Sequence, residues 1–268
     1  WQSLRRLGSG DVSEGGRMTY TLHCGDCLDI LPTLPAQSVD AIIADPPYGT
    51  TACKWDSVIP LDAMWRELKR VIKPNGAIVL FGAQPFTSVL VTSNLQWFKY
   101  RWVWDKANAA TGLHAKIMPM RVDEEVIVFG SGLTAYNPQM SKTNRRVDKK
   151  RVIPNGEAFS GNVMLRVYDN KGVQYPKSII RGFSNSDQTG KLHPTQKPVD
   201  LMRYLVRTYT NAGETVLDFT AGSGSTGVAA LLEGRRFIGI EKDAGYYAIM
   251  ERRCSEAIAQ PALVGAAE

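Results

Sequence analysis

Cysteine and histidine are scarce, with 4 Cys and 3 His in 268 residues. So few thiols in a chain of this size exclude a disulfide-stapled scaffold and suit a reducing cytoplasm better. Cys24-x-x-Cys27 is a lone close pair. Without a second pair to complete four ligands it makes a weak case for zinc or redox chemistry, and no metal is expected. No apolar run approaches the length of a bilayer-spanning helix. No G-x-x-x-x-G-K-[ST] segment occurs, which counts against a nucleoside triphosphatase.

What is present is ordinary in bulk and uneven in detail. At 44% hydrophobic and 22% charged, the chain can bury one large core, or one core with a modest insertion. Its net charge of +6 is concentrated. Between Ser131 and Lys191 eleven basic residues face four acidic ones, so the rest is close to neutral. A basic segment on a near-neutral scaffold suggests a polyanionic partner, although a solvated loop surface uses the same residues. Its densest stretch holds Lys142, Arg145, Arg146, Lys149, Lys150 and Arg151, the candidate nucleic-acid contacts.

The chain is organised around Asp45-Pro46-Pro47-Tyr48. Val39 to Ala44 reads as a buried strand that stops at Asp45, because two prolines without N–H groups cannot continue a ladder. A carboxylate, carbonyl acceptors and an aromatic face then lie within four residues. An exocyclic amine on a planar base can use all three, the acceptors for its hydrogens and the ring for stacking. Asp and Pro also favour plain strand-end turns.

Around this motif the pattern is that of an α/β chain. Residues 1–17 are rich in Gly, Ser and Arg, and read as a disordered leader before a start at Met18. Thr19 to Leu31 reads as a short strand, a Gly-Asp turn and one helical turn, with Asp26 placed to reach a ligand at a sheet's end. Leu61, Met64, Trp65, Leu68 and Ile72 fall at helical spacing, and Lys73 to Gly76 ends that helix. Strands are expected at 77–81, 98–104 and 126–129. Trp55 lies in a polar stretch that is a candidate loop over the site. From Ser131 to Lys191 periodicity fades, apart from short candidate strands such as 163–168. Pro198 suits the first turn of a helix whose face carries Val199, Met202, Leu205 and Tyr209.

Thr215 to Thr220 reads as a strand followed by Ala221-Gly222-Ser223-Gly224, a helix to Glu233 and a strand from Arg236 that ends in Glu241. Glycines let backbone approach a ligand, and an acid 19 residues beyond Gly222 can accept both ribose hydroxyls. Together they indicate an adenosine-type ligand. A small-residue tail, 261–268, follows the last helix.

These segments resemble the amino-methylating DNA methyltransferases that use S-adenosylmethionine. Asp45-Pro46-Pro47-Tyr48 matches their catalytic signature, Phe219-Thr220-Ala221-Gly222-Ser223-Gly224 their cofactor loop, and His193 to Pro198 the segment before it. The order of catalytic motif, variable basic segment and cofactor loop is that of the beta class. The stretch from Pro47 through Trp55 to Phe81 resembles phage and prophage members. Two departures stand out: Thr220 replaces the family's usual Phe, and Arg121-Val122-Asp123-Glu124-Glu125 lies where relatives often carry a histidine before the acids.

The resemblance implies a circularly permuted, Rossmann-like α/β methyltransferase fold. Residues 18–130 would form its catalytic half, 131–191 a small basic target-recognition insertion and 192–260 its cofactor half. It implies S-adenosylmethionine held by Asp45, Asp218, Phe219, Ala221, Gly222, Ser223, Gly224 and Glu241, with Asp26 and Cys27 by its adenine and Thr195 and Lys197 near its carboxylate. Asp45, Pro46, Pro47 and Tyr48 would act on a base flipped out of double-stranded DNA. An Asp at the first position favours adenine N6; cytosine N4 and adenine in RNA are the alternatives. The chain lacks the Pro-Cys pair used for ring-carbon methylation of cytosine. Protein glutamine methylation would call for Asn in place of Asp45, and a non-catalytic DNA binder would not need the intact motifs. Such enzymes work in the cytoplasm of bacterial or phage-infected cells. Relatives are often dimeric and some accompany a cognate restriction endonuclease; the sequence leaves both open.

Overall fold

The computed structural model describes residues 19–49, 57–108, 115–143, 172–184 and 196–259. The leader, Cys53, Trp55, the candidate strand at 163–168, His193, Thr195 and Arg145 through Arg151 lie outside the described residues.

Eight strands make one sheet in the order β1 (Tyr20–Cys24), β10 (Arg236–Glu241), β9 (Thr215–Asp218), β2 (Val39–Ala44), β3 (Ile72–Gly82), β5 (Asp123–Phe129), β4 (Phe98–Asp105) and β8 (Ile179–Ile180). The first five run parallel. β5 is antiparallel to both β3 and β4, and β8 runs parallel to β4. Parallel strands covered on both faces read as continuous apolar runs, and β2 is such a strand. Ala41 and Ile43 face one core with Val216, Leu205 and Met250; Ile42 and Ala44 face the other with Leu217, Met64 and Leu68. The first core is covered by α4 (Val199–Tyr209), α5 (Ser225–Leu232) and α6 (Ala244–Ala259). The second is covered by α1 (Cys27–Ile30), α2 (Leu61–Val71) and α3 (Phe86–Thr92).

Three boundaries differ from the sequence expectation. α2 stops at Val71, and Ile72 opens β3 by pairing with Val39, so the Lys73-Pro74-Asn75-Gly76 stretch lies inside a bulged strand instead of a free turn. Pro198 is the N-cap of α4 in extended geometry, not a first-turn residue. β9 ends at Asp218, which leaves Phe219 and Thr220 to the turn. The aromatic row of β4 is core at Trp102 and Trp104, while Tyr100 is exposed. Trp104 donates its indole N–H to Phe183 O at 3.0 Å and Trp102 donates to the Tyr209 hydroxyl at 2.6 Å, which supplies the partners that buried indoles need.

At the N-terminal edge of the sheet Asp40 fixes β2 between its neighbours. One carboxylate oxygen accepts from Lys73 Nζ at 2.6 Å and the other from the Thr215 N–H at 2.9 Å. A smaller compact unit spans Pro138–Lys177, and 178–184 contributes β8 to the main sheet. Within that unit β6 (Ser141–Lys142), which carries Lys142, pairs antiparallel with β7 (Val173–Gln174).

Candidate active site

The C-terminal ends of β1, β10, β9 and β2 are neighbours, so residues distant in sequence meet there. β9 turns into α5 through Gly222 and Gly224, with φ of 53° and 82°, a region that favours glycine. A Cβ on Gly222 would meet nothing within 4 Å, so the backbone there faces open space; one on Gly224 would lie 2.8 Å from Met250 Cγ. Glu241 closes the loop from β10. One carboxylate oxygen accepts the Gly222 N–H at 2.7 Å and the other the Asp243 N–H at 2.8 Å. On the other side of β10, Gly25 N–H donates to Glu241 O at 2.9 Å, which brings Asp26 to the same edge. Asp26 caps α1 by accepting from Leu28 N–H at 3.0 Å and pairs with Lys242 Nζ at 2.8 Å. These two donors, Lys242 first, hold its carboxyl below the usual range.

Asp218 is buried beneath the loop and braces it, accepting from Thr226 Oγ1 at 2.6 Å and from the Thr220 N–H at 3.1 Å. Burial outweighs these hydrogen bonds and pushes its carboxyl up to about 7. The Thr220 hydroxyl is buried and makes no hydrogen bond within the described structure, so a polar atom in the turn has capacity to spare. Ser223 is tied on both sides, donating to Gln196 Oε1 at 3.1 Å and accepting on its carbonyl from Arg253 at 2.6 Å. An open glycine backbone, an acidic strand end and an unused hydroxyl together fit an adenosine-bearing cofactor.

Asp45 leaves β2 beside this loop. One carboxylate oxygen accepts from the Tyr48 hydroxyl at 2.6 Å and the other from Lys197 Nζ at 2.6 Å. Tyr48 stacks on Phe86, centroids 5.2 Å apart and planes 22° from parallel. Lys197 is buried and also stands 3.2 Å from Glu124 Oε2 on β5. Glu124 in turn accepts from Lys106 Nζ at 2.9 Å. Burial works against the Lys197 ammonium, yet Asp45 and Glu124 outweigh it and lift the group to about 12. Burial pushes the Asp45 carboxyl up, and Lys197 opposes that push.

Several candidate side chains meet partners within the protein. Lys197, expected near the cofactor's carboxylate, pairs with Asp45 and Glu124. Phe219 is 1% exposed and packs in the core with Leu217 and Ile240, so only its backbone borders the loop. Cys27 is likewise buried, its thiol pushed up to about 12 mainly by desolvation, which leaves it inert. Glu124, Lys106, Gln196 and Arg253 were not among the candidates. Their partners lie on other strands and helices, so spacing along the chain does not reveal them, although Gln196 falls within the matched segment His193 to Pro198 and Glu124 within the acidic run 121–125.

A mostly parallel sheet with a glycine turn, an acidic strand end and a carboxylate–tyrosine pair at one edge defines a Rossmann-like group-transfer enzyme. The chain belongs to the DNA methylase family: the family model so described, N6_N4_Mtase, matches residues 39–252. It is therefore a DNA methyltransferase in class. The DNA adenine methyltransferase YhdJ of Escherichia coli K12 is 29% identical over 262 residues, covering 89% of this chain and 83% of that protein. The solved PvuII DNA methyltransferase, cytosine-N4-specific, shares the fold with a TM-score of 0.65 at 16% identity, covering 91% of this chain and 94% of that one. The M1.HpyAVI–SAM complex superposes with a TM-score of 0.58 at 23% identity, covering 88% and 98% of the two chains.

Proposed function

We propose that the enzyme moves a methyl group from S-adenosylmethionine to the N6 amine of an adenine turned out of duplex DNA. The observation that carries this reading is the Asp45 carboxylate, held by Tyr48 and Lys197 at the strand edge that also carries the glycine loop. Asp at the first motif position and the likeness to a protein named as a DNA adenine methyltransferase favour adenine over cytosine.

The chain's residues divide the work. Gly222 gives the cofactor close backbone approach, Glu241 and Asp26 serve its ribose and adenine ends, the Thr220 hydroxyl offers a hydrogen bond, and Asp218 holds the turn in shape. The bound cofactor supplies an electrophilic methyl on a sulfonium. Tyr48, backed by Phe86, receives the flipped base on its ring; unstacking that base from the duplex costs a few kcal/mol. Asp45 and the Pro46 carbonyl accept the two amine hydrogens and draw them out of the ring plane. The nitrogen lone pair then localises toward the methyl. As the new N–C bond forms the C–S bond breaks, and the surplus amine proton leaves along the hydrogen bond to Asp45. No covalent enzyme intermediate is needed; orientation does most of the work. Lys142, with Arg145, Arg146, Lys149, Lys150 and Arg151, would neutralise DNA phosphates, and the binding would weaken steeply with salt.

The test is expression in a host lacking adenine methylation, with modified bases mapped by single-molecule sequencing and Asp45→Ala as control. N6-methyladenine at one short motif, absent in the control, is the expected result. N4-methylcytosine would overturn the acceptor but keep the mechanism. Unmodified DNA from folded, cofactor-binding protein would overturn DNA methylation in that host.

A further inference from the structure

Four charges alternate through the interior beside Asp45. Asp45 meets Lys197 at 2.6 Å, Lys197 meets Glu124 at 3.2 Å, and Glu124 meets Lys106 at 2.9 Å. They come from the end of β2, the segment before α4, β5 and the residue after β4, so the row is assembled by the tertiary fold. Lys197 also lies over the Phe81 ring at 5.0 Å. Stability alone does not explain such a row, because buried ion pairs add little beyond what well-packed apolar residues of the same volume would give. The row ends on the one carboxylate that the proposed reaction uses.

The chemistry asks something definite of that carboxylate. To accept hydrogens from an amine, Asp45 must be ionised; as a carboxylic acid it would present a donor to a donor. Burial favours the acid form, and so does the nearby carboxylate of Glu124; the Asp218 carboxyl at the end of β9 is itself lifted by the Asp45 charge. Lys197 is the group opposing them. The Tyr48 hydroxyl also favours the ionised form, but it belongs to the ring that must receive the base.

We propose that Lys197 and Glu124 are positioning residues for the methyl transfer: Lys197 keeps Asp45 a carboxylate, and Glu124 draws Lys197 partly away so that Asp45 keeps room for the amine. The inference rests on the reading of Asp45 as the amine acceptor. When the amine arrives and donates to Asp45, Lys197 leans toward Glu124, and Lys106 holds Glu124 in place. Two opposite effects follow. Loss of Lys197 makes Asp45 harder to ionise, whereas loss of the Glu124 charge makes it easier to ionise but leaves Lys197 crowding the oxygen that the amine needs.

The experiment titrates Asp45 directly. Full-length protein carrying carboxyl-13C aspartate is followed by NMR against pH, with the Asp45 signal assigned by its loss in Asp45→Asn. Wild type is compared with Lys197→Gln and Glu124→Gln, and single-turnover methylation is measured over the same pH range. Lys197→Gln is expected to move both the Asp45 titration and the acid limb of the rate profile up by about 1 to 3 pH units, the range for loss of an opposite charge in contact. Glu124→Gln is expected to move both down while lowering the plateau rate. If Lys197→Gln does not fold, Glu124→Gln, which leaves Lys197 its closest partner, decides alone. Unmoved titrations, or shifts of the same sign in both variants, overturn the inference. Because the titration needs no DNA, opposite shifts in a protein that methylates nothing would support the pairing and overturn the function instead. A wild type that methylates with unmoved Asp45 signals would do the reverse.

Discussion

Thr226, in the first turn of α5, donates its hydroxyl to Asp218 Oδ2 at 2.6 Å, and the pair clamps the turn that carries both loop glycines. Asp218 has no cation beside it among the described residues, so burial pushes its carboxyl from 3.8 to about 7. Its native state therefore holds a proton that the unfolded chain releases near pH 4. Between about pH 4 and 7 the folded form binds more protons, and this group's contribution to stability falls as pH rises. Asp218→Asn removes that dependence while keeping an acceptor for the Thr220 N–H. The unfolding free energy from urea melts should drop more between pH 5 and pH 8 for wild type than for the variant, by on the order of 1–4 kcal/mol. Equal drops in the two proteins would show that the carboxyl is already ionised at pH 5.

The two loop glycines should separate strain from ligand space. Gly224→Ala puts a side chain at φ 82° and 2.8 Å from Met250 Cγ, so both backbone strain and overpacking apply, costing about 2–5 kcal/mol together. Gly222→Ala adds strain at φ 53° but meets no atom within 4 Å, and should cost only about 1–2 kcal/mol. Its methyl instead fills space assigned to the cofactor. Thermal melts should show Gly224→Ala as the less stable protein. Calorimetric titration with S-adenosylhomocysteine should show at least tenfold weaker binding for a folded Gly222→Ala. Unchanged affinity there would mean the ligand lies elsewhere.

Much of this edge is legible in the sequence because it is local. The apolar run of β2 ending at Asp45, the glycine turn after β9 and the acid closing β10 are each set by neighbours along the chain, and their spacing survives folding. What is not legible is what the edge is wired to. Lys197 reaches Asp45 across 152 residues, and no periodicity encodes that distance. Phe219 looks like a ligand-facing residue because it sits in the motif, but the strand stops at Asp218 and the next side chain drops into the core. Ile72 carries the helical spacing of α2, yet pairing with Val39 captures it for β3.

Tyr48 has two separable parts. Its hydroxyl donates to Asp45 at 2.6 Å, and its ring stacks on Phe86. Tyr48→Phe removes one hydrogen bond and keeps the stack, so stability should fall by about 0.5–1.5 kcal/mol and the single-turnover rate only modestly. Tyr48→Ala removes the platform, and base–aromatic stacking of about 1–3 kcal/mol corresponds to a loss of roughly 5- to 150-fold in capture of the flipped base. With 2-aminopurine at the target position, the fluorescence rise on binding should survive Tyr48→Phe and shrink in Tyr48→Ala. If Phe is as damaging as Ala, the hydroxyl is the working part and the stacking role falls.

Gln196 and Lys197 are consecutive, yet they serve different sites. Gln196 accepts from the Ser223 hydroxyl in the glycine loop at 3.1 Å, and Lys197 pairs with Asp45 at 2.6 Å. A ligand that settles the loop through Ser223 thus fixes the backbone next to the lysine that holds the Asp45 carboxylate. Cofactor and DNA should accordingly bind with positive coupling, and by linkage each should tighten the other by the same factor. Gln196→Ala cuts the tie to Ser223 while leaving Arg253 on the Ser223 carbonyl at 2.6 Å, so the loop keeps its other anchor. DNA affinity measured with and without saturating S-adenosylhomocysteine gives the coupling directly. Wild type should show about 1–3 kcal/mol, the usual range for linked sites, and Gln196→Ala should lose most of it while binding each ligand alone nearly as well. A variant that keeps full coupling would show that the sites communicate through another path, such as the direct proximity of the ends of β2 and β9.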